Sequence, residues 1–288
     1  MSLRDALASG KFVVTAEVGP PKGVDVAEML ADAELLAPRV AAINVTDQQS
    51  AVMRLSGLAT CALLKQKGIE PVFQVTCRDR NRIALQSDLL GAAALGIENV
   101  LCLTGDYVTM GDHVQAKPVF DLDSVSLLRA VTTLMEGHDM AGKPLRGTPV
   151  FFPGAVVTPG ADPLEPQIYK MEKKVRAGAR FFQTQAVYEP GAFAEFMDKV
   201  RPLGTPVMAG IVLLKSAGMA RFMNRNVAGV HVPEELIAEM EEAPNKGAKS
   251  VEIAARLIRE LRPLCQGVHI MAIGWEKRIP AVLDAAGL

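Results

Sequence analysis

Short runs of β-branched and aromatic residues alternate with longer amphipathic runs along the whole chain. The short runs predict eight strands, at Phe12–Val18, Ala42–Asp47, Pro71–Cys77, Asn99–Gly105, Pro149–Val157, Phe181–Val187, Pro206–Val212 and His269–Gly274. Helical periodicity between them predicts helices near 26–37, 50–68, 80–95, 122–136, 163–177, 190–202, 216–225 and 276–285. Further helices are expected at 234–242 and 247–262. Several joints carry their own signal. Lys173, Lys174 and Arg176 sit in the last turn of a helix that ends at Ala177-Gly178-Ala179, where cations suit the negative end of the dipole. Gly68 and Gly96 stop the helices before strands three and four.

Eight apolar strands, each followed by a helix, imply parallel strands buried on both faces. Closing eight of them gives a (β/α)8 TIM barrel, here with extra helices between strands seven and eight. Such a barrel uses about 250 residues as one unit, so a single catalytic domain over 1–288 is expected. Two connections are long. Asp106–Asp121 follows strand four and should lie on the catalytic face; Gly137–Thr148 precedes strand five and should lie on the other.

Alternation along the strands divides residues facing the barrel axis from residues facing the helices. One parity collects polar groups: Thr15 and Glu17, Asn44 and Thr46, Gln74 and Thr76, Thr104 and Asp106 with Cys102, and Gln183 and Gln185 with Phe181. The polar groups concentrate late in each strand, toward the mouth. An acid between Ala16 and Val18 is costly to bury without a partner or a task, so Glu17 is the leading candidate for a catalytic acid. Asp106, after Gly105, is a second acidic position at a strand end, or a simple cap.

Composition narrows the chemistry. A formal net charge of −1 without a basic stripe argues against nucleic acid as a partner. The four cysteines form no CxxC pair and the four histidines no HxxxH pair, so reduced thiols and no metal site are expected. No run reaches 18 apolar residues and the first residues lack an apolar signal core, which predicts a cytoplasmic protein without a membrane span. No Cys-His pair or Ser-His-Asp set assembles at the mouth. Lys215, after strand seven, could form a Schiff base, but Ser216-Ala217-Gly218 reads more simply as a helix start. The remaining kit of one acid, amides and hydroxyls suits orienting a planar polar heterocycle and donating a proton, with a cofactor carrying the harder chemistry.

Four segments resemble the methylenetetrahydrofolate reductase family, in order and on the expected strands. Ala16-Glu17-Val18-Gly19-Pro20-Pro21 resembles its strand-one motif, and Leu103-Thr104-Gly105-Asp106 its motif after strand four. Lys174-Val175-Arg176-Ala177-Gly178-Ala179 with Phe182-Gln183-Thr184-Gln185 is similar to its strand-six segment. Thr76-Cys77-Arg78-Asp79-Arg80-Asn81 through Gly91 resembles the branch found in anaerobes and in fused methyltransferase–reductases.

The resemblance implies flavin-dependent reduction of 5,10-methylenetetrahydrofolate to 5-methyltetrahydrofolate, a step feeding methionine biosynthesis. Glu17 would protonate N10, a role that works best in apolar surroundings that keep an acid protonated near neutrality. Thr46, Gln74, Thr104, Gly105, Asp106, Asp121, Thr158 and Asp162 fall at positions implied to bind flavin, FAD or FMN. Lys170, Lys173 and Lys174 would face its phosphates, or form a solvated helix face. Asp106, Gln185 and Phe222 would contact folate. The electron donor would be NAD(P)H or a partner redox protein, in a homo-oligomer or a complex with an electron-donating subunit. Gln74 stands where a His is commoner, and Trp275 lies near where many relatives carry an Arg. Two other readings are a pterin-binding barrel methyltransferase acting with a corrinoid protein, and a non-catalytic docking subunit.

Overall fold

The computed structural model describes residues 1–288. Eight strands close a barrel in chain order: β1 (Val13–Val18), β2 (Ala42–Val45), β3 (Pro71–Thr76), β4 (Asn99–Leu103), β5 (Phe152–Val157), β6 (Phe181–Ala186), β7 (Val207–Val212) and β8 (Gly267–Met271). Every neighbouring pair is parallel, and β8 returns to β1 with Thr15 opposite His269. The helices are α1 (Leu3–Ala8), α2 (Ala27–Leu36), α3 (Gly57–Gln66), α4 (Arg82–Ala94), α5 (Ser124–Met135), α6 (Glu165–Arg176), α7 (Pro190–Val200), α8 (Ala217–Asn226), α9 (Glu234–Glu242), α10 (Lys246–Leu261) and α11 (Ile279–Ala286). The expected (β/α)8 barrel is therefore present, with α9 and α10 as the additional helices before β8.

Two apolar cores hold it together. The larger lies between strands and helices; the smaller fills the barrel floor with Val13, Ala42, Val72, Leu101, Phe181 and Met208. Helix α1, absent from the sequence expectation, closes that floor with Leu3, Ala6 and Leu7. A capping box starts it: Ser2 Oγ accepts from Asp5 N at 3.1 Å and the Asp5 carboxylate accepts from Ser2 N. The floor is tight. A Cβ on Gly154 of β5 would sit 2.3 Å from the Phe181 ring, which stacks on Phe152 at 5.2 Å between centroids.

Three expectations are corrected. In β4 the axial residues are Leu101 and Leu103, whereas Cys102 joins the outer core. The strand ends at Leu103, so Thr104 and Asp106 belong to the loop above it. The helix expected over 50–68 is confined to Gly57–Gln66, because Gln48, Ser50 and Ala51 hold left-handed φ of 50°, 55° and 57°. Strand β8 ends at Met271 rather than Gly274, since Ile273 and Gly274 turn the chain at φ 51° and 83°.

Candidate active site

The apolar floor of the barrel gives way to a polar layer. Thr15, Asn44, Gln183 and His269 are all buried there. Asn44 and Gln183 pair reciprocally: Asn44 Nδ2 donates to Gln183 Oε1 at 2.7 Å, and Gln183 Nε2 donates to Asn44 Oδ1 at 3.1 Å. Gln183 Nε2 also donates to Thr15 Oγ1 at 3.2 Å, and Thr15 Oγ1 lies 3.0 Å from His269 Nδ1. The other ring nitrogen, Nε2, is 3.7 Å from Glu17 Oε2. Hydrogen bonds join Thr15, Asn44, Gln183 and His269 Nδ1 into one layer, which fixes the geometry of what stands on it.

Above this layer opens a cavity of about 320 Å³. Its walls include Glu17, Thr46, Gln74, Thr104, Asp106 and Gln185, and Gly105 also borders it. Leu101, Leu103 and Val156 supply apolar surface below. Glu17 is only 7% exposed, so the acid is largely withdrawn from water yet reaches the cavity. Thr46 Oγ1 is buried and has no hydrogen-bond partner in the protein. An orphan hydroxyl of this kind costs about 1–3 kcal/mol unless something pairs with it. With the amides of Gln74 and Gln185 on the same cavity, the donor and acceptor set fits the polar edge of a bound heterocycle such as a flavin.

Four loops are locked around the mouth. Asp47, at the end of β2, accepts from Thr76 N at 2.8 Å and Thr76 Oγ1 at 2.9 Å, and pairs with Arg80. Arg78 is nearly fully buried; it donates to both oxygens of Asp79 and to Gln48 O at 3.3 Å. The long loop after β4 presses on the β2 loop, where a Cβ on Gly111 would lie 1.8 Å from Ala51 O. Asp112 of that loop pairs with Lys22 from the loop after β1. The Gln48–Ala51 backbone is thus held in its uncommon conformation by neighbours on both sides.

A second cavity, about 600 Å³, shares Glu17 and Gln49 with the first. Trp275 borders it, with the Arg278 guanidinium 4.6 Å and the Lys215 ammonium 5.7 Å from its ring centroid. Asp32 on its far wall keeps one carboxyl oxygen unpartnered, and burial raises its pKa.

The remaining residues singled out in the sequence lie apart from the mouth cavity. Asp121 binds Arg82 through both oxygens, 2.9 Å each, and the Arg82 hydrogen bonds lower its pKa to about 2. Thr158 packs on Gly229, where a Cβ would meet its methyl at 2.2 Å. Asp162, Lys170 and Lys173 are exposed, with the Lys173 ammonium 4.4 Å over the Tyr169 ring. Lys174 is buried and donates to Val156 O at 2.6 Å; burial lowers its pKa to about 8. Phe222 on α8 is 60% exposed. Sequence reasoning missed His269, which strand parity pairs with Thr15 once β8 is started at Gly267, and Asp47, one residue past Thr46.

Residues 2–287 match the family model described as Methylenetetrahydrofolate reductase. Methylenetetrahydrofolate reductase 2 of Schizosaccharomyces pombe is 26% identical over 252 residues, covering 76% of this chain and 36% of that protein. Methylenetetrahydrofolate reductase (NADH) 1 of Arabidopsis thaliana is 25% identical over 239 residues, covering 76% and 38%. The chain thus spans little more than a third of the length of these curated relatives. Among solved structures, oxaloacetate acetylhydrolase with the product oxalate superposes with a TM-score of 0.57 at 12% identity, over 100% of this chain and 87% of that one. At that identity the likeness concerns the barrel alone. The family match over nearly the whole chain, on a barrel whose mouth presents a buried acid among amides, places this chain in the methylenetetrahydrofolate reductase family.

Proposed function

We propose that this barrel reduces 5,10-methylenetetrahydrofolate to 5-methyltetrahydrofolate with a flavin held in the mouth. The observation that carries the reading is Glu17: in a chain matched by the family over nearly its whole length, two buried acids line the mouth cavity, and Asp47 is held by Thr76 and Arg80 whereas Glu17, at the end of β1, has only His269 near it, at 3.7 Å. Bound flavin, FAD or FMN, supplies the hydride to the one-carbon unit.

The chain's own residues do the rest. Glu17 donates its proton to N10, which opens the five-membered ring to an iminium that can accept hydride. Glu17 is largely withdrawn from bulk water yet reaches the cavity where the folate would lie. Thr46, Gln74, Thr104 and Gly105 would hold the heterocycle's polar edges, and Asp106 and Gln185 would orient the pterin. Thr158, Asp121, Asp162, Lys170 and Lys173 would serve the remainder of the cofactor, and Phe222 the folate, from outside the mouth cavity; Lys174, expected to join them, instead donates inward to Val156 O. The second cavity beside Glu17 gives the folate's aromatic tail a place along Trp275. NAD(P)H or a partner redox protein would return electrons, and a cytoplasmic location goes with that supply.

The test is spectroscopic. Purified protein, reconstituted with FAD or FMN, is expected to be yellow, to bleach with a reductant and to regain colour on adding methylenetetrahydrofolate. A protein that binds the folate but takes up neither flavin would instead support methyl transfer to a corrinoid protein.

A further inference from the structure

His269 has no part in the reading above, yet it is the only one of the four histidines that is buried, and it stands directly under the acid. Its protonation pattern can be followed along the hydrogen-bond chain. Gln183 Nε2 has two hydrogens; one goes to Asn44 Oδ1 and the other to Thr15 Oγ1. The Asn44 amide returns a hydrogen to Gln183 Oε1, which holds the pair in this orientation. Thr15 Oγ1 therefore accepts from Gln183 and keeps its own hydrogen to donate. Its remaining partner is His269 Nδ1 at 3.0 Å, so Nδ1 accepts. A neutral imidazole whose Nδ1 accepts carries its hydrogen on Nε2, and Nε2 faces Glu17 Oε2 at 3.7 Å.

We propose that His269 is the positioning residue of Glu17: the Asn44–Gln183–Thr15 chain fixes its imidazole as the Nε2–H tautomer, aimed at Oε2. This rests on the reading of Glu17 as the acid. A donor facing Oε2 disfavours a second hydrogen there, so the acid's proton sits on the other oxygen. As that proton leaves for N10, negative charge develops on the carboxylate and the Nε2–H bond to it strengthens. The 3.7 Å gap is longer than a hydrogen bond and closes with a small rotation of Glu17 as charge develops. His269 borders the mouth cavity beside Glu17, and its proposed part is exerted through Glu17.

Two variants separate positioning from packing. A glutamine amide nitrogen can occupy the place of Nε2, whereas an asparagine amide nitrogen reaches only the place of Nδ1. His269→Gln is therefore expected to keep kcat within about fivefold of the parent, and His269→Asn to lose about 100-fold in kcat with KM little changed. Equal losses in both variants, in step with lowered thermal stability, would mean that the ring only fills space and would overturn the proposal. Nitrogen-15 spectra of the histidine rings in the purified protein give a readout independent of activity. They should show His269 protonated at Nε2 and not Nδ1, with that preference lost in Thr15→Val. An Nδ1–H ring overturns the proposal whatever the turnover. Absence of methylenetetrahydrofolate turnover in the parent would reject the functional reading, while the ring spectra would still decide the tautomer.

Discussion

Replacing Lys174 by methionine should make the protein more stable at neutral pH, and the gain should disappear in alkali. Lys174 is buried on α6, with its ammonium donating to Val156 O at 2.6 Å. Burial, with repulsion from Lys170 and against a weaker pull from Asp123, lowers its pKa from 10.5 to about 8. That difference makes the charged form about 3 kcal/mol costlier in the folded chain than in the unfolded one. Methionine of similar length removes the penalty and forfeits one charge-assisted hydrogen bond worth about 2 kcal/mol. The expected net gain at pH 7 is about 1 kcal/mol. The sign with pH follows from proton counts. Below pH 8 the lysine is protonated in both states, and the full penalty is present. Between pH 8 and 10.5 the folded state loses its proton first, the unfolded chain binds more protons, and stability of the parent rises with pH. Urea midpoints of parent and variant at pH 7, 9 and 10.5 check this. A difference that stays constant with pH, or a variant less stable at pH 7, would refute the reasoning.

Other perturbations probe the frame of the site. Asp47→Ala leaves Thr76 N and Thr76 Oγ1 without an acceptor and removes one of the two carboxylates of Arg80; it should cost about 3 kcal/mol in urea unfolding. Leu3→Ala empties a fully buried position on the floor and should cost about 3 kcal/mol, with KM for folate unchanged because α1 lies at the end of the barrel away from the mouth. A loss well under 1 kcal/mol in either case would mean that the contact is not maintained in solution.

The barrel was legible in the sequence because parallel strands covered on both sides read as short continuous apolar runs, each followed by an amphipathic one. The axial parity of β1, β2 and β3 was also legible, since each carries polar residues on one face only. In strand β4 only Asn99, at its start, is polar, and Val100–Leu103 are apolar on both faces, so the pattern toward the mouth did not tell Leu101 and Leu103 from Cys102, and the polar residues beyond it belong to a loop. Helix α1 was hidden because six residues carry too little periodicity. Its leucines acquire meaning only as a lid on the floor made by Val13, Val72 and Phe181. Within the site, Glu17, Thr46, Gln74 and Gln185 could be placed from alternation. His269 could not, because its importance comes from the closure of β8 on β1, a pairing of residues 254 apart in the chain. The fate of Lys174 was likewise invisible: helix position suggested a solvent-facing cation, whereas packing turned it inward to Val156.

Glu17 supplies the proton in the proposed reaction. Glu17→Gln keeps the shape of the side chain and removes the acid. Flavin in the variant should still be reduced by its donor at the parent rate. Reoxidation of reduced flavin by methylenetetrahydrofolate, followed in a stopped-flow spectrometer, should slow by about 10²- to 10⁴-fold. Reoxidation at the parent rate in Glu17→Gln would contradict the account.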